Sequence, residues 1–210
     1  VICPSNELKK NFMELNLFSE EKLLVIQDPH IDVRKINKLK RIEFNDNFFD
    51  NSKILISIGR LTKQKNYYFL IVTFKKLIKK YTNLKLLIIG DGEEKQLLND
   101  LIKKFDLDDK IKIIGYRKNI YNYLSHSDFY VSTSSWEGSS LSMIDSAFIG
   151  LPILCSDCPT GRKEFIGNNK RGYIFQDSNQ SDFLEKFDQM FSDTPKKTRS
   201  KLLEAKKEIK

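Results

Sequence analysis

The run Ile54-Leu-Ile-Ser-Ile58, closed by Gly59-Arg60, decides the fold. Five consecutive apolar or small residues without polar alternation suit a strand buried on both faces, the pattern of a parallel sheet. Working outward, residues 67, 70, 71, 74, 77, 78 and 81 repeat apolar side chains at helical spacing behind a Lys-rich outer face. Leu84–Ile89 is the next strand and ends in Gly90-Asp-Gly92; Ile111–Ile114 is a third and ends in Gly115-Tyr116. An amphipathic segment, Glu94–Phe105, separates them. Further strands are expected at 129–132, 153–155 and 172–175, with helices at 119–124, from about Ser139 to Gly150, and at 181–191 and 195–208. Alternating strands and helices with right-handed crossovers make a doubly wound, Rossmann-like α/β domain. Its ligand site belongs at the carboxyl ends of the strands, where Gly59, Gly90 and Gly115 all fall.

Upstream, Ser5 or Asn6 can cap a short helix, Leu23–Ile26 is a short extended run, and Asp28-Pro-His-Ile-Asp32 is a turn signal. The stretch from there to Asp50 is Lys- and Asn-rich and reads as a connector. The start, Val1-Ile-Cys-Pro-Ser5, has neither an initiator Met nor the pattern of a secretory signal, so the expectation is a fragment of a larger protein.

The 210 residues are enough to bury roughly 70% of the unfolded chain's surface. No apolar run reaches the ~18–20 residues that span a bilayer. A net charge of +8 favours an anionic partner, either a phosphate-bearing ligand or a peripheral contact with an anionic membrane. Nucleic acid is not expected, because no basic-aromatic RNA motif or recognition-helix module is present; a basic α/β module for RNA or anionic lipid stays as the competing class. Cys155-Ser-Asp-Cys158 has redox spacing but follows an apolar strand and runs into Pro159-Thr-Gly161. With only His30 and His126 elsewhere, neither metal nor redox chemistry is expected.

Chemistry is expected in Ser134-Ser-Trp-Glu-Gly-Ser-Ser-Leu-Ser-Met-Ile-Asp145, a loop that opens a helix. Amides from about Ser139 to Ser142 lack intrahelical acceptors and form an anion-attracting end. Glu137 and Asp145 lie across that junction and suit sugar hydroxyls; a solvated, capped turn is the plain alternative. Arg60 and Lys65 flank a loop before a helix that Asn66 can cap, and two cations there suit a diphosphate. Neither Gly-x-Gly-x-x-Gly after the first strand nor a Walker loop is present, which sets aside dinucleotide and P-loop chemistry.

These pieces together resemble the donor-sugar half of retaining glycosyltransferase family 4, with the GT-B fold. The carrying residues are Ile58-Gly-Arg-Leu-Thr-Lys-Gln-Lys65, Leu87-Ile-Ile-Gly-Asp-Gly92, Ile114-Gly-Tyr116, Ser127-Asp-Phe-Tyr-Val-Ser132, Trp136-Glu-Gly138 through Ile144-Asp145, and Gly150-Leu-Pro152. Ser156-Asp-Cys-Pro-Thr-Gly161 with Glu164 resembles the variant in bacterial polysaccharide and lipid-linked-oligosaccharide transferases. The resemblance implies transfer of a hexose or N-acetylhexosamine from a nucleotide-diphosphate sugar, with UDP the expected carrier, to a glycan or lipid-linked acceptor with retention. It implies no metal and no cofactor beyond that substrate. It puts Arg60 and Lys65, beside Gly59, on the donor diphosphate; Gly115, Tyr116 and Arg117 at the base; Glu137 at the transferred sugar; Ser139, Ser140 and Leu141 at phosphate and sugar hydroxyls; and Asp145 at the ribose diol. It divides the chain into the end of an acceptor domain with the interdomain linker (1–47), a donor domain (48–180) and C-terminal helices (181–210). The rest of the acceptor domain, or a partner chain supplying it, is then required, and a donor-binding half inactive alone is the alternative. The setting implied is cytoplasmic, peripheral at the inner face of the membrane.

Asp145 departs from the family, which carries Glu there. The missing methylene shortens its reach by ~1.5 Å, and each weakened hydrogen bond costs up to about tenfold in affinity, at ~1.4 kcal/mol. Asp145→Glu is therefore expected to tighten nucleotide binding; calorimetry showing equal or weaker binding would count against the ribose role.

Overall fold

A computed structural model describes residues 1–26, 31–138, 140–159, 162–167 and 169–208. The N-terminal segment pairs β1 (Ile2–Cys3) in parallel with β2 (Leu24–Val25) around α1 (Asn6–Glu14), whose first turn is capped by the Ser5 hydroxyl. The turn signal at 28–32 lies mostly outside the described residues, but Asp32 caps a helix, α2 (Val33–Leu39), through its side chain at 3.0 Å from the Lys35 amide. The expected connector is therefore partly helical. Its only buried residue is Ile36, which explains why so polar a stretch shows no amphipathic period. Beyond it, Phe44 stacks on His126 with ring centroids 4.4 Å apart, and Phe48 and Phe49 pack against the core.

Then follow β3 (Lys53–Ile58), α3 (Tyr67–Lys80), β4 (Leu84–Ile89), α4 (Lys95–Lys104), β5 (Ile111–Ile113), α5 (Tyr121–Ser125), β6 (Phe129–Ser132), α6 (Leu141–Ile149), β7 (Ile153–Asp157), α7 (Arg162–Ile166), β8 (Tyr173–Gln176), α8 (Gln180–Ser192) and α9 (Pro195–Glu208). The strands form one parallel sheet in the order β5-β4-β3-β6-β7-β8. Counted from β3 this is the 3-2-1-4-5-6 order of a doubly wound fold, with its switch point between β3 and β6. The expected class and strands hold. The helix α7, only five residues long, has no period by which its sequence could announce it.

Alternation within β3 assigns the two faces. Leu55 joins a core with α3, α4 and α8, while Ile54 and Ile56 join a second core with α5, α6 and α9. All three are fully buried or nearly so, each contributing about 1.5–3 kcal/mol relative to exposure. On the first face Phe69, Phe175, Phe183 and Phe187 run edge-to-face and stacked, and seal β8 under α8.

At the carboxyl edge the strand ends touch. The Gly59 amide donates to Ile89 O at 3.0 Å and the Gly90 amide to Gly115 O at 3.0 Å. Gly90 has φ +156°, and a Cβ there would lie 1.8 Å from Gly59 O. Gly90→Ala is thus expected to cost about 3 kcal/mol or more in urea unfolding. Gly138→Ala, where a Cβ meets nothing within 4 Å, should change stability by less than about 0.5 kcal/mol. Equal midpoints for the two variants would refute this account of the edge.

Candidate functional site

The switch point brings three segments together. The first is the 3-10 turn Lys63–Lys65 after β3, ended by Asn66 in the left-handed region (φ 51°) with its side chain accepting from the Phe69 amide at 3.4 Å. The second is the loop after β6. Thr133 Oγ1 donates to Lys65 O at 2.9 Å, the Ser135 amide donates to Gln64 O at 2.9 Å, and Gln64 Nε2 donates to Trp136 O at 2.8 Å. These bonds lace the two loops and hand Glu137 to Lys65. The third is α7, which delivers Arg162.

Glu137 is the centre. Lys65 Nζ donates to its Oε1 at 2.5 Å and Arg162 Nη2 to its Oε2 at 2.9 Å. The side chains are 15% (Lys65), 9% (Glu137) and 1% (Arg162) exposed. Arg162 also donates to Ser132 Oγ at 2.7 Å and Ser156 Oγ at 2.9 Å, and Ser156 Oγ donates to Ser134 O at 2.6 Å. The alkyl chain of Lys65 runs over Gly59, where a Cβ would come within 3.0 Å of Lys65 Cε. A lone carboxylate at this depth would cost several kcal/mol; two cations and their hydroxyl supports offset that.

Of the residues expected at the site, Gly59, Lys65 and Glu137 are in direct contact or adjoin it. Arg60 is exposed at the end of β3. Gly115, with φ +72°, bridges to Gly90; Tyr116 is 74% exposed, and Arg117 folds back, its Nε donating to Tyr123 Oη at 3.2 Å. Ser140 caps α6 without a side-chain bond, and the Met143 and Ile144 amides both donate to Ser140 O, so the amides ahead of them, that of Leu141 included, have no helical acceptor among the described residues. Ser139 lies outside the described residues. Asp145 is 3% exposed on α6 and accepts from Tyr121 Oη at 3.0 Å. It faces a phenol and not open solvent. Burial and the Asp145 charge push the Tyr121 phenol well above its ordinary value, which keeps the proton on the donor.

Sequence reasoning missed Arg162 and Tyr121. Nothing in the sequence marks Arg162; what reveals it is the burial of Ser132 at the end of β6, of Thr133 and Ser134 just after it, and of Ser156 in β7, at 0–6% exposure. Buried hydroxyls in such density require a polar partner. The Cys155 thiol is pushed up by burial to about 12 and so stays protonated at neutral pH. Among the described residues no cluster of three or more His, Cys, Asp and Glu is placed to hold a metal ion.

A doubly wound sheet with a charged, part-buried site at its switch point defines a Rossmann-like ligand-binding domain. The glycosyl transferases group 1 family model matches residues 40–209, and the chain belongs to that family. It is 39% identical over 141 residues to an uncharacterised glycosyltransferase of Methanocaldococcus jannaschii, an alignment covering 64% of this chain and 35% of the relative. It is 32% identical over 141 residues to the N-acetylgalactosamine-N,N'-diacetylbacillosaminyl-diphospho-undecaprenol 4-alpha-N-acetylgalactosaminyltransferase of Campylobacter jejuni, covering 67% of this chain and 38% of that enzyme. The whole chain superposes on 40% of a TarM variant from S. aureus, solved with fondaparinux, alpha-GlcNAc-glycerol and UDP, at TM-score 0.81 and 25% identity. The α/β fold matches GT-B glycosyltransferases of known structure, and the chain spans well under half the length of these proteins.

Two tyrosines beside the site give a pH prediction. Burial raises the phenol of Tyr67 far above 10.0 and that of Tyr130 to about 12. Their folded values exceed the unfolded one, so the stability they contribute is whole below about pH 10 and falls as pH rises beyond it. Thermal melts from pH 8 to 11.5 should hold level and then drop above about 10. A melting temperature that rises there would refute it.

Proposed function

We propose that this chain is the C-terminal, donor-binding half of a retaining family 4 glycosyltransferase. It takes a hexose or N-acetylhexosamine from a nucleotide-diphosphate sugar, with UDP as the carrier, for transfer to a glycan or lipid-linked acceptor. The observation that carries this reading is Glu137 fixed between Lys65 and Arg162 beside the open end of α6. Lys65 is partly exposed and has two further N–H groups for a diphosphate; Arg60, exposed at the same edge, adds a second cation. With the amides at the start of α6 they stabilise charge as the bond from the anomeric carbon to the diphosphate breaks, an electrostatic role. Glu137, with a cation on each oxygen, orients sugar hydroxyls and is no free nucleophile. Gly115, Tyr116 and Arg117 form the rim for the base. Asp145 serves the ribose through Tyr121 Oη, which donates to Asp145 and can accept from a ribose hydroxyl, so the phenol spans the missing methylene. The Campylobacter relative, named for a lipid-diphosphate acceptor, and the UDP-bound TarM variant support the substrate class. With the net charge of +8 they also favour a cytoplasmic site of action against an anionic membrane face.

A second reading, that this half does not transfer sugar alone, is favoured by the N-terminal segment. Ile2, Leu15 and Leu24 are 66%, 67% and 60% exposed around a two-stranded sheet, apolar surface that an acceptor domain would cover.

Calorimetric titration with UDP should show saturable binding, weakened about tenfold by Arg60→Ala, the loss of one charge-assisted contact. Hydrolysis and transfer assays on the same preparation separate the two readings: binding without turnover favours the half-enzyme. Absence of any UDP binding would sink both.

A further inference from the structure

We propose that Arg162 is a positioning residue for the donor sugar. It holds Glu137 from beneath so that Lys65 can be shared with the donor diphosphate while the carboxylate keeps its aim. The inference rests on the donor-binding reading above.

The two cations on Glu137 are not equivalent. Lys65 approaches from the open side, 15% exposed, on a flexible stem whose ammonium has three donors, and among the described residues Glu137 Oε1 takes one of them. A phosphate entering the cleft can take another, and the pull on Glu137 then slackens. Arg162 approaches from the sheet side, 1% exposed, and its guanidinium is fixed in plane by three hydrogen bonds, two to neighbouring strands (Ser132 on β6 and Ser156 on β7) and one to Glu137 itself. Ser156 is locked in turn by its bond to Ser134 O. Arg162 therefore cannot follow a ligand outward.

Packing alone gives no reason for this arrangement. Its Nε is buried with no partner among the described residues, a deficit an apolar side chain would not carry, so its place rests on its bonds to Glu137, Ser132 and Ser156. The backbone behind it is tethered as well, since Glu164 of the same short helix accepts from the amide and side chain of Asn6 at the start of α1. The groups turned toward Glu137 from the packed elements are Lys65, Arg162, the phenols of Tyr67 on α3 and Tyr130 on β6, and Cys158 after β7. Both phenols and the thiol are pushed up by burial and stay neutral, so among the described residues the fixed charge left to hold Glu137 once Lys65 is shared is Arg162.

The test compares UDP with a panel of UDP-hexoses and UDP-N-acetylhexosamines on the full chain by calorimetry, with thermal melts alongside. The quantity read is the sugar-dependent gain, the ratio of the Kd for UDP to that for the best UDP-sugar. Arg162→Met should leave the Kd for UDP within about threefold and lower the gain by about tenfold, one charge-assisted contact. Glu137→Gln removes the charge that Arg162 neutralises and so keeps the fold testable. Adding Arg162→Met to it should lower the gain no further. Additive losses, or an Arg162→Met variant that keeps the full gain, would overturn the proposal and leave the donor-binding reading standing. A parent chain that binds no UDP would overturn both.

Discussion

One buried carboxylate sets the terms for the carboxyl edge of the sheet. Glu137 is 9% exposed, and an ionised group at that depth persists only with opposite charge and hydrogen bonds around it. Two cations from segments roughly a hundred residues apart supply this, at 2.5 and 2.9 Å. Each then needs its own support. Lys65 is held by the 3-10 turn that Thr133 and Ser135 bond to, and Arg162 by the hydroxyls of Ser132 and Ser156. The string of small hydroxyl residues at the ends of β6 and β7 follows from the charge they must accommodate.

The topology makes this convergence inexpensive. In the 3-2-1-4-5-6 order, β3 and β6 are neighbours although more than seventy residues separate them, and their following loops leave on the same side of the switch point. The glycine ends draw the neighbouring strands in until backbones touch, as Gly90 against Gly59 shows. A side chain there would hold β3 and β4 apart and move the turn carrying Lys65. Rigidity in the sheet is thereby converted into placement of the site, with the two apolar cores acting as the frame.

What was legible in the sequence divides along physical lines. The six central strands and the long helices were readable because each is specified locally, by continuous apolar runs or a 3.6-residue period. Lys65 and Glu137 were readable as separate charges near strand ends, but their pairing was not: a loop sequence does not state which loop it meets. Lys65 was expected on the donor diphosphate and is already committed on one side to Glu137. Arg162 was illegible for a stronger reason. It sits in a five-residue helix with no period, and an Arg between Gly161 and Lys163 looks like any solvated basic residue. Only its burial reveals it. The helix in the 33–39 stretch was hidden because one buried residue makes no stripe.

Among the described residues, Asp145 and Glu137 meet different partners although one sequence signature carries both. Both are acidic and nearly buried, eight positions apart (137 to 145). Glu137 is neutralised by formal charge, which locks it and takes up one lone-pair direction on each oxygen. Asp145 has a neutral phenol on Oδ1, and Tyr121 can pass a hydrogen bond onward because its oxygen is both donor and acceptor. A carboxylate held by cations suits a place where charge must stay still while a phosphate arrives and leaves. One relayed through a hydroxyl suits a diol, which offers donors and no charge. The shorter Asp is then consistent with its setting, and the tighter nucleotide binding expected of Asp145→Glu from reach alone no longer follows once the Tyr121 hydroxyl supplies the reach. The two ends of the stretch Ser134–Asp145 thus differ in the partners that the described residues bring to each, two cations at Glu137 and a phenol at Asp145.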